Sequence, residues 1–361
     1  MREMNGPFKI ITLMFALALL AAPAAAMLSA AEPEEPPDPN AFVSYYAQLD
    51  ANGKAIYDAL DSADPDINSL TIVLPIIVTA TADDPNDAKE YVLAMVKKSV
   101  DDAFIALRLS SPRAYLGWFP TSCTYADPVT LSGSTATIAS ITIDIHYKNY
   151  PDTFQSIEKM LEELDAEIEK FSTNGKNDAE KVSDINRYLI DKVTYDPNYG
   201  KRDASNKRLE SPYSHDAYGA LVNPNHAVCD GYSKAFLLLC QKEGIDCVVA
   251  LGTSISDGGR HAWNYVKVDD KWYAIDVTWN DTSNNEYFLL GTSFFTTHLQ
   301  GIYLDTGVRS DPFSIPAIST SSFGTGQQPW WMDYAWVLAI AIVALILVAL
   351  YMFSKRGRPT R

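Results

Sequence analysis

The sequence predicts an α+β fold, and two stretches carry this prediction. In the first, CDGYSKAFLLLCQKEG from Cys229 to Gly244, apolar residues recur at three- and four-residue spacing, which predicts a helix that Gly244 ends. In the second, the runs RHAWNYVKV and KWYAIDVTW meet at Asp269 and Asp270, which predicts an antiparallel hairpin. Helices and antiparallel strands in separate stretches of the chain are typical of α+β domains.

Composition limits the classes of function. The chain has 361 residues, 47% of them hydrophobic, which is enough for a sizeable core and more than one domain. Its formal net charge of -16 argues against binding of nucleic acid or of anionic membrane surfaces by the folded part. The cysteines show no zinc-binding spacing. No cofactor is predicted and no residue is assigned as a metal ligand, whereas dependence on a metal stays open. The disulfide state of three of the cysteines stays open: Cys123, Cys240 and Cys247.

The N-terminal residues read as a secretory signal peptide. Arg2 and Lys9 precede the short apolar run IITLMFALALLAAPAAA, which ends in small residues with an A-x-A pattern. We therefore expect a signal peptide over residues 1–26, with an uncleaved anchor as the alternative. The Pro-rich acidic segment that follows, residues 27–40, predicts an extended linker.

Residues 41–150 predict an accessory α+β subdomain. Helical spacing in AFVSYYAQLD and KAIYDALD is followed by a strand-like run, LTIVLPIIVTAT. A helix is predicted from about Asp87 to Leu109, capped by Asp84 or Asn86, and TATIASITIDIHY predicts a half-buried strand. No catalytic constellation is visible in this segment, so we expect it to help shape a substrate groove.

Residues 151–305 begin with two amphipathic helical patterns. The first is PDTFQSIEKMLEELDAEIEKF, and the second is DAEKVSDINRYLIDKV with Asn177 as its N-cap. A long polar loop follows, DPNYGKRDASNKRLESPYSHDAYG. Loops of this length in a compact domain are often functional, so it is predicted to form a flap over Cys229.

Cys229 is the candidate nucleophile because it stands at the predicted start of a helix. A thiol there lies in the positive field of the helix terminus, and a neighbouring imidazolium adds to that field; both favour the thiolate. A cysteine on an apolar helix is otherwise a small core residue, and that reading fits Cys240, deep in the same helix.

The candidate base and acid lie on the predicted hairpin. A two-residue turn makes Val268 face Lys271, which places His261 opposite Thr278 with Asp276 as its diagonal neighbour on the same face. A mid-strand carboxylate needs a partner, and His261 is the candidate. The opposite face is predicted to be the buried one: Ala262, Val266, Val268, Tyr273, Ile275, Val277 and Trp279.

The sequence around these residues resembles that of a known family. AYGALVNPNHAVCDGYSKAF and GRHAWNYVKVDDKWYAIDVTWND are similar, in the order and spacing of VCDGY, HAWN and WYAIDVTW, to the core of the transglutaminase-like superfamily of thiol acyltransferases and peptidases. The resemblance covers roughly residues 152–304. It implies a papain-like core in which the nucleophile helix packs on an antiparallel sheet, and a triad of Cys229, His261 and Asp276.

The groups that would stabilise an oxyanion are harder to identify from the sequence than the triad. The backbone N–H of Cys229 at the helix start is one expected donor. A side chain upstream should supply the second, and Asn223 and Tyr218 are the candidates; as alternatives, Asn223 is a turn residue and Tyr218 a packing aromatic. Trp263, in the HAWN motif, is a further candidate substrate-site residue.

The C-terminal residues predict a membrane anchor. A Ser/Gly-rich linker, residues 306–331, precedes a predicted transmembrane helix over residues 332–354, in which the uninterrupted apolar run from Ala335 to Phe353 has about the length that a bilayer core requires. The residues on its N-terminal side are rich in aromatics, and the tail of residues 355–361 is basic. By the positive-inside rule the tail is cytoplasmic, so we expect a single-pass cell-membrane protein with an extracytoplasmic catalytic domain.

The function expected from these features is acyl transfer at amide bonds through a thioester, with a protein or peptide as substrate. If water resolves the acyl-enzyme, the protein is a peptidase or amidase. If an amine does, it is a protein-glutamine acyltransferase. The alternative from another class is a cell-surface binding or assembly module that keeps the fold without turnover.

Overall fold

The computed structural model describes residues 42–64, 67, 69–112, 118–119, 129–144, 146–147, 157–283, 285–304, 307–309 and 313–324. Residues 42–323 form one compact unit. The predicted signal peptide, the first linker, the spanning helix and the basic tail lie outside the described residues. Within those that are described, no helix combines the length and the apolar character needed to cross a membrane.

The described chain is a mixture of helices and mainly antiparallel strands. The helices are α1 (Ala51–Asp61), α2 (Pro85–Ser110), α3 (Ile157–Lys170), α4 (Asp178–Lys192), α5 (Ala217–Leu221), α6 (Cys229–Lys242) and α7 (Val277–Ser283). The longer strands are β1 (Ser69–Thr81), β4 (Thr135–Asp144), β8 (Cys247–Ser254), β9 (Arg260–Val268) and β10 (Lys271–Ile275). The shorter ones are β2 (Trp118–Phe119), β3 (Thr130–Ser132), β5 (His146–Tyr147), β6 (Thr194–Tyr195), β7 (His226–Ala227), β11 (His298–Gln300), β12 (Ile302–Leu304) and β13 (Gly307–Arg309).

The N-terminal layer is a three-stranded antiparallel sheet, in the order β1-β4-β3, covered by α1 and α2. The predicted cap of α2 is Asp84, whose side chain accepts a hydrogen bond from the backbone N–H of Asn86. The first predicted helix is much shorter than expected. Only the 3-10 turn Tyr46–Gln48 forms there, and a new helix begins after Asp50, whose carboxylate caps it by accepting from the N–H of Gly53.

A four-stranded antiparallel sheet, in the order β10-β9-β8-β11, forms the centre of the rest of the unit. The hairpin of β9 and β10 has the predicted register, with Lys271 opposite Val268. Helix α6 packs on β8 and β9, and α3, α4 and α5 pack in turn against α6. Gly244 ends α6 with a φ of 72°, a left-handed conformation that glycine adopts without strain.

The prediction that β10 continues to Trp279 is wrong. The strand ends at Ile275, and Val277–Ser283 forms helix α7. Asp276 is the residue at which the chain changes from strand to helix, because its carboxylate accepts from the N–H of Trp279 and its carbonyl accepts from the N–H of Asn280. Thr278 therefore has no cross-strand partner, and His261 instead pairs with Gly252 on β8.

The expectation of a single buried sheet face is also wrong, since both faces are covered. Val266, Val268 and Ile275 belong to the core formed with the helices that precede the hairpin. Trp263 and Tyr265, on the other face, pack with residues of the N-terminal layer. The central sheet is thus buried between the two parts of the unit, which explains why its strands do not alternate cleanly.

Candidate active site

Cys229 is the first residue of α6, and it is half-buried. Val228, the N-cap residue, makes no side-chain hydrogen bond to the helix, so no side-chain cap occupies the N–H groups of the first turn. The positive end of the helix therefore acts directly on the thiol and on any oxyanion formed beside it.

A close approach of the chain fixes the first turn of α6. A Cβ atom added at Gly231 would lie 2.6 Å from the Ser214 carbonyl oxygen and 2.8 Å from the Ala227 Cβ. The same carbonyl accepts from the N–H of Val228 at 2.9 Å. The glycine of the VCDGY motif thus lets the segment before α5 lie against the nucleophile.

The candidate base and acid are in direct contact. The Nε2 atom of His261 lies 2.6 Å from Oδ2 of Asp276, and the two side chains are 8% and 0% exposed. Asp276 contacts His261 from the N-cap of α7 rather than from a strand. The predicted contact between the two side chains is therefore present, although the predicted strand at Asp276 is not. The helix terminus and the N–H of Trp279 add to the stabilisation of the carboxylate.

The charges of the site favour an imidazolium. Burial lowers the pKa of His261, but hydrogen bonds with Asp276 and Cys229 and their negative charges outweigh it and raise the pKa to about 10. Burial likewise opposes ionisation of Asp276, and the hydrogen bonds from His261 and His298 overcome it and lower the pKa of that carboxyl. Because Asp276 occupies Nε2 of His261, Nδ1 is the nitrogen left for the thiol.

A second imidazole contacts the same carboxylate. His298, on β11, is fully buried, and its Nε2 lies 3.2 Å from Oδ2 of Asp276. Its ring stacks on Phe294 with centroids 3.9 Å apart and lies 4.3 Å from Trp279. No motif in the sequence marks His298, which follows the end of the recognisable hairpin at Ile275 by 23 residues; the short β11–β8 pairing brings it to the site.

His261, Asp276 and His298 are also the three described residues whose ligand atoms converge enough to hold a metal ion, all within 4.8 Å of one another. The distance of 2.6 Å between His261 Nε2 and Asp276 Oδ2 is that of a strong hydrogen bond. Two ligands of one tetrahedral zinc ion, each at about 2.0–2.1 Å from it, lie further apart than that. The geometry is therefore that of a hydrogen-bonded chain.

The other predicted site residues are placed differently. Asn223 is exposed in a turn before Pro224, and the hydroxyl of Tyr218 donates to Oε2 of Glu163 at 2.6 Å within the core. Within the described part of the chain, no hydrogen bond joins either residue to the triad. Trp263 lies beside His261, with ring centroids 6.2 Å apart, but it is 1% exposed and therefore packs rather than receives a substrate.

The predicted flap does bring side chains to the nucleophile. It starts at β6, which pairs in parallel with β7, so that Tyr195 lies opposite Ala227. Burial and then the negative charge at Cys229 raise the pKa of Tyr195 and of Tyr199. The tyrosines of the flap, which the sequence did not single out, are thus part of the surroundings of Cys229.

A buried charge cluster lies behind the nucleophile. Asp230 is held by Lys234 at 3.2 Å and by Arg108 of α2 at 3.4 Å. Burial opposes ionisation of Asp230, but the charges of Lys234, Arg108 and His215 outweigh it and hold the pKa of that carboxyl well below its usual range. The cluster ties the first turn of α6 to the N-terminal layer.

Comparison with known proteins finds one family model that matches part of the chain. The model of the family described as "Transglutaminase-like superfamily" matches residues 166–277. "Kyphoscoliosis peptidase" of Mus musculus is 33% identical over 85 residues, which cover 19% of this chain and 13% of that protein. "Kyphoscoliosis peptidase" of Homo sapiens is 22% identical over 178 residues, which cover 45% of this chain and 26% of that protein. The chain therefore spans about a quarter or less of these relatives. A solved structure of "a TGase" is 18% identical, with a TM-score of 0.27 and coverage of 45% of each chain.

Proposed function

We propose, from the premise that residues 166–277 belong to the transglutaminase-like superfamily, that this protein is a thiol enzyme in which Cys229 attacks the carbonyl carbon of an amide. The observation that carries the proposal is the chain of contacts from the thiol at the start of α6 through His261 to the buried carboxylate of Asp276. A nucleophile, a base and a group that orients the base define this type of catalysis.

The reaction begins from a thiolate and an imidazolium. The sulfur forms a bond to the carbonyl carbon, and the oxyanion that results lies at the N-terminal end of α6, where backbone N–H groups stabilise it. Nδ1 of His261 then gives its proton to the amide nitrogen, and the carbon–nitrogen bond breaks. The amine leaves, and the acyl group stays on Cys229 as a thioester.

Asp276 remains ionised throughout. Its hydrogen bond to Nε2 of His261 keeps the proton-transferring nitrogen directed at the thiol and stabilises the imidazolium. In the second half of the reaction, neutral His261 takes a proton from the acceptor, the acceptor attacks the thioester, and the thiolate is released. The same residues serve water and an amine equally well.

Water is the acceptor that we favour. Both curated relatives are named as peptidases, which supports hydrolysis of a peptide or protein amide. Transamidation at glutamine is the second candidate, since the steps up to the thioester are the same. A binding module without turnover is the third, and the charged state of His261 beside Cys229 argues against it.

The test is to trap and then resolve the acyl-enzyme. The protein is incubated with a panel of peptides, some containing glutamine, and the mass of Cys229 is followed by rapid quenching. Acyl-Cys229 that decays with incorporation of ¹⁸O from water supports hydrolysis, and decay with transfer to a labelled primary amine supports transamidation. Absence of acylation from every peptide, with Cys229 also inert to iodoacetamide, would favour the binding module.

The location proposed for this activity is the outer side of the cell membrane. The apolar run of residues 332–354 and the basic tail after it support a single-pass anchor with the catalytic part outside. Protease added to intact cells should remove the folded unit and spare an epitope placed at the C-terminus. Protection of both ends would contradict this location.

A further inference from the structure

Two tyrosines of the loop that starts near Cys229 are used by no step of the proposed chemistry. Tyr195 and Tyr199 are 40% and 47% exposed, although both are large aromatic residues. Their rings meet edge to face, with centroids 6.2 Å apart and an interplanar angle of 85°. An aromatic pair left open to solvent presents apolar area that a ligand can cover.

The backbone holds Tyr195 at the start of the nucleophile helix. The residue lies opposite Ala227 in the parallel pairing of β6 and β7, and the N–H of Asp196 donates to the Ala227 carbonyl at 3.0 Å. Ala227 precedes Cys229 by two residues. The position of the Tyr195 ring is therefore coupled to that of the thiol.

A buried carboxylate anchors the loop that carries both rings. Asp196 accepts from the N–H of Asn198 at 2.9 Å, from the N–H of Ser211 at 2.8 Å and from the hydroxyl of Ser214. Burial opposes ionisation of this carboxyl, but these hydrogen bonds outweigh it and lower its pKa. The loop is thus tied at both ends before any ligand arrives, which lowers the entropic cost of binding on it.

Tyr199 is connected through His215 to the residue after the nucleophile. Its ring centroid lies 6.0 Å from that of His215, and Nδ1 of His215 lies 3.9 Å from Oδ2 of Asp230, the residue after Cys229. One ring is therefore linked to the residues before Cys229, and the other to the residue after it.

We infer that Tyr195 and Tyr199 form an apolar subsite that receives an aromatic or aliphatic side chain of the peptide substrate next to the reacting carbonyl. The inference rests on the proposed function, because it assigns the substrate class of the same site. Rings in this arrangement stack on an aromatic side chain or cover an aliphatic one, and they do not select a charge.

The experiment compares irreversible peptide reagents that react with an activated thiol. N-acetyl dipeptidyl chloromethyl ketones carry phenylalanine, leucine or glycine at either position before the electrophile, and the rate of Cys229 modification is measured by mass spectrometry. We expect the wild-type protein to react about ten-fold faster with a phenylalanine or leucine reagent than with the glycine reagent, the scale of discrimination by an apolar pocket.

The variants separate the rings from their hydroxyl groups. Tyr195→Ala and Tyr199→Ala should each lose most of the preference, whereas Tyr195→Phe and Tyr199→Phe should keep it. Tyr91→Ala is the matched control, since Tyr91 is a similarly exposed tyrosine on α2. The rate with iodoacetamide, which has no side chain to bind, should be the same in all of these proteins.

Two outcomes would overturn the inference and leave the proposed function standing: a wild-type protein without the preference, or alanine variants that retain it, while iodoacetamide still modifies Cys229 rapidly. A Cys229 inert to every reagent would instead contradict the proposed function, on which the subsite depends.

A second inference rests on different contacts, those of His298. Burial lowers the pKa of this histidine despite its hydrogen bond to Asp276, so the ring is neutral and carries one N–H. Because ionised Asp276 only accepts hydrogen bonds, Nε2 of His298 is the nitrogen that carries the proton. Its Nδ1 lies 2.8 Å from the hydroxyl oxygen of Thr297, and that hydroxyl donates to the Phe294 carbonyl at 3.1 Å.

We propose that His298 is a positioning residue for the triad and acts through Asp276. Oδ1 of the Asp276 carboxylate accepts from the N–H of Trp279 at 3.1 Å. Oδ2 accepts from His298, and this hydrogen bond keeps Oδ2 directed at His261. The stacked ring of Phe294 keeps His298 in this orientation. The proposal depends on the function proposed for the same triad.

Two substitutions separate hydrogen bonding from packing. His298→Gln keeps an N–H donor near the position of Nε2, and His298→Phe keeps the ring volume and removes the donor. If His298 positions Asp276, kcat falls about 10- to 100-fold in His298→Phe, as for other groups that orient a reacting residue, and is largely retained in His298→Gln. KM should change little in either.

The opposite order of the two variants would overturn the proposal, since a purely packing role in this aromatic environment favours phenylalanine. Melting temperatures of both variants show whether either has lost its fold. If both unfold, the rate of iodoacetamide modification of Cys229 in Thr297→Val decides instead: loss of the hydroxyl that contacts Nδ1 of His298 should slow it, and an unchanged rate contradicts the proposal. These changes in rate are measured relative to the wild-type protein. A wild-type protein without activity would therefore count against the proposed function.

Discussion

At the scale of single residues, the proposed mechanism depends on which side chains of the site are protonated. His261 is charged because Asp276 and Cys229 together outweigh the cost of burying it, and Asp276 is ionised because two imidazoles and a backbone N–H surround it. Removal of one partner from such a set leaves a buried charge that is only partly compensated. Substitutions in the triad should therefore change rates more than they change contacts elsewhere.

Asp276→Asn keeps the side-chain volume and removes the charge that stabilises the imidazolium. In the serine triad the equivalent change lowers kcat by about four orders of magnitude. A thiolate and an imidazolium stabilise each other in part without the acid, so we expect a loss of roughly two to three orders here, near the scale of general-base catalysis. Single-turnover acylation rates measure the loss.

Circular dichroism melts provide the control for this variant: loss of the charge beside buried His261 should lower the melting temperature, but the variant should remain folded at the temperature of the assay. A variant that acylates at the wild-type rate, or one that is unfolded at the assay temperature, would show that Asp276 has a structural role and that another group completes the triad.

The pH dependence follows from the pKa of His261, which is raised to about 10. Its proton is held below that pH and lost as the pH rises through it. Acylation by an amide requires this proton for the leaving amine, so its rate should fall above about pH 10. Alkylation of Cys229 by iodoacetamide requires no proton donor and should not fall with it. Both rates falling together, or acylation falling already near pH 6.5, would contradict the assignment.

At the scale of elements, the sequence predicted the structural features that depend on residues close together in the chain. The hairpin register, the cap of α4 at Asn177 and the end of α6 at Gly244 are confirmed, because each depends on neighbours in the chain. The change from strand to helix at Asp276 was missed, because apolar residues alternate through Trp279 as they do in a strand. Only the capping hydrogen bonds of Asp276 make the helix preferable there.

The close approach at Gly231 gives a prediction for α6. In Gly231→Ala the added methyl group meets the Ser214 carbonyl and Ala227, so the segment before α5 must move. We expect a loss of about 1–3 kcal/mol in the free energy of unfolding, as for other overpacked sites, and slower acylation. Denaturant unfolding and single-turnover rates measure both.

Gly53→Ala is the milder comparison, because in α1 the added Cβ would lie 3.2 Å from the capping carboxylate of Asp50 and 3.4 Å from Leu49, contacts that small shifts relieve. Its loss should be smaller than that of Gly231→Ala, since alanine also has the higher helix propensity. A Gly231→Ala variant as stable and active as Gly53→Ala would show that the close approach has no role.

At the scale of the whole molecule, helix α2 of the N-terminal layer and the central sheet share a core. Ile105 and Leu109 of α2 pack with Trp263 and Tyr265 of the central sheet, and the hydroxyl of Tyr45 donates to the Val249 carbonyl at 3.3 Å. The sequence suggested two subdomains at a boundary near residue 150, and it gave no sign of this shared core, because contacts between distant segments leave no periodicity in either. His298 and the flap tyrosines were missed for the same reason.

The shared core predicts one cooperative unfolding transition for residues 42–323. In a variant with phenylalanine in place of Trp118, Trp330, Trp331 and Trp336, the fluorescence of Trp263, Trp272 and Trp279 reports on the second part of the unit, whereas far-ultraviolet circular dichroism reports on both parts. The two thermal transitions should coincide, because neither part can expose its side of the shared core alone. A dichroism change that precedes the fluorescence change would show that the N-terminal layer unfolds separately.

The central claim is that Cys229 is a nucleophile activated by its position and by His261. The most direct measurement is the rate at which iodoacetamide modifies each cysteine of the native protein at neutral pH, with the sites identified by mass spectrometry. We expect Cys229 to react first, well ahead of half-buried Cys247 and buried Cys240. We also expect His261→Gln to slow Cys229 alone. Modification of Cys247 before Cys229, or a Cys229 rate unchanged in His261→Gln, would contradict the account.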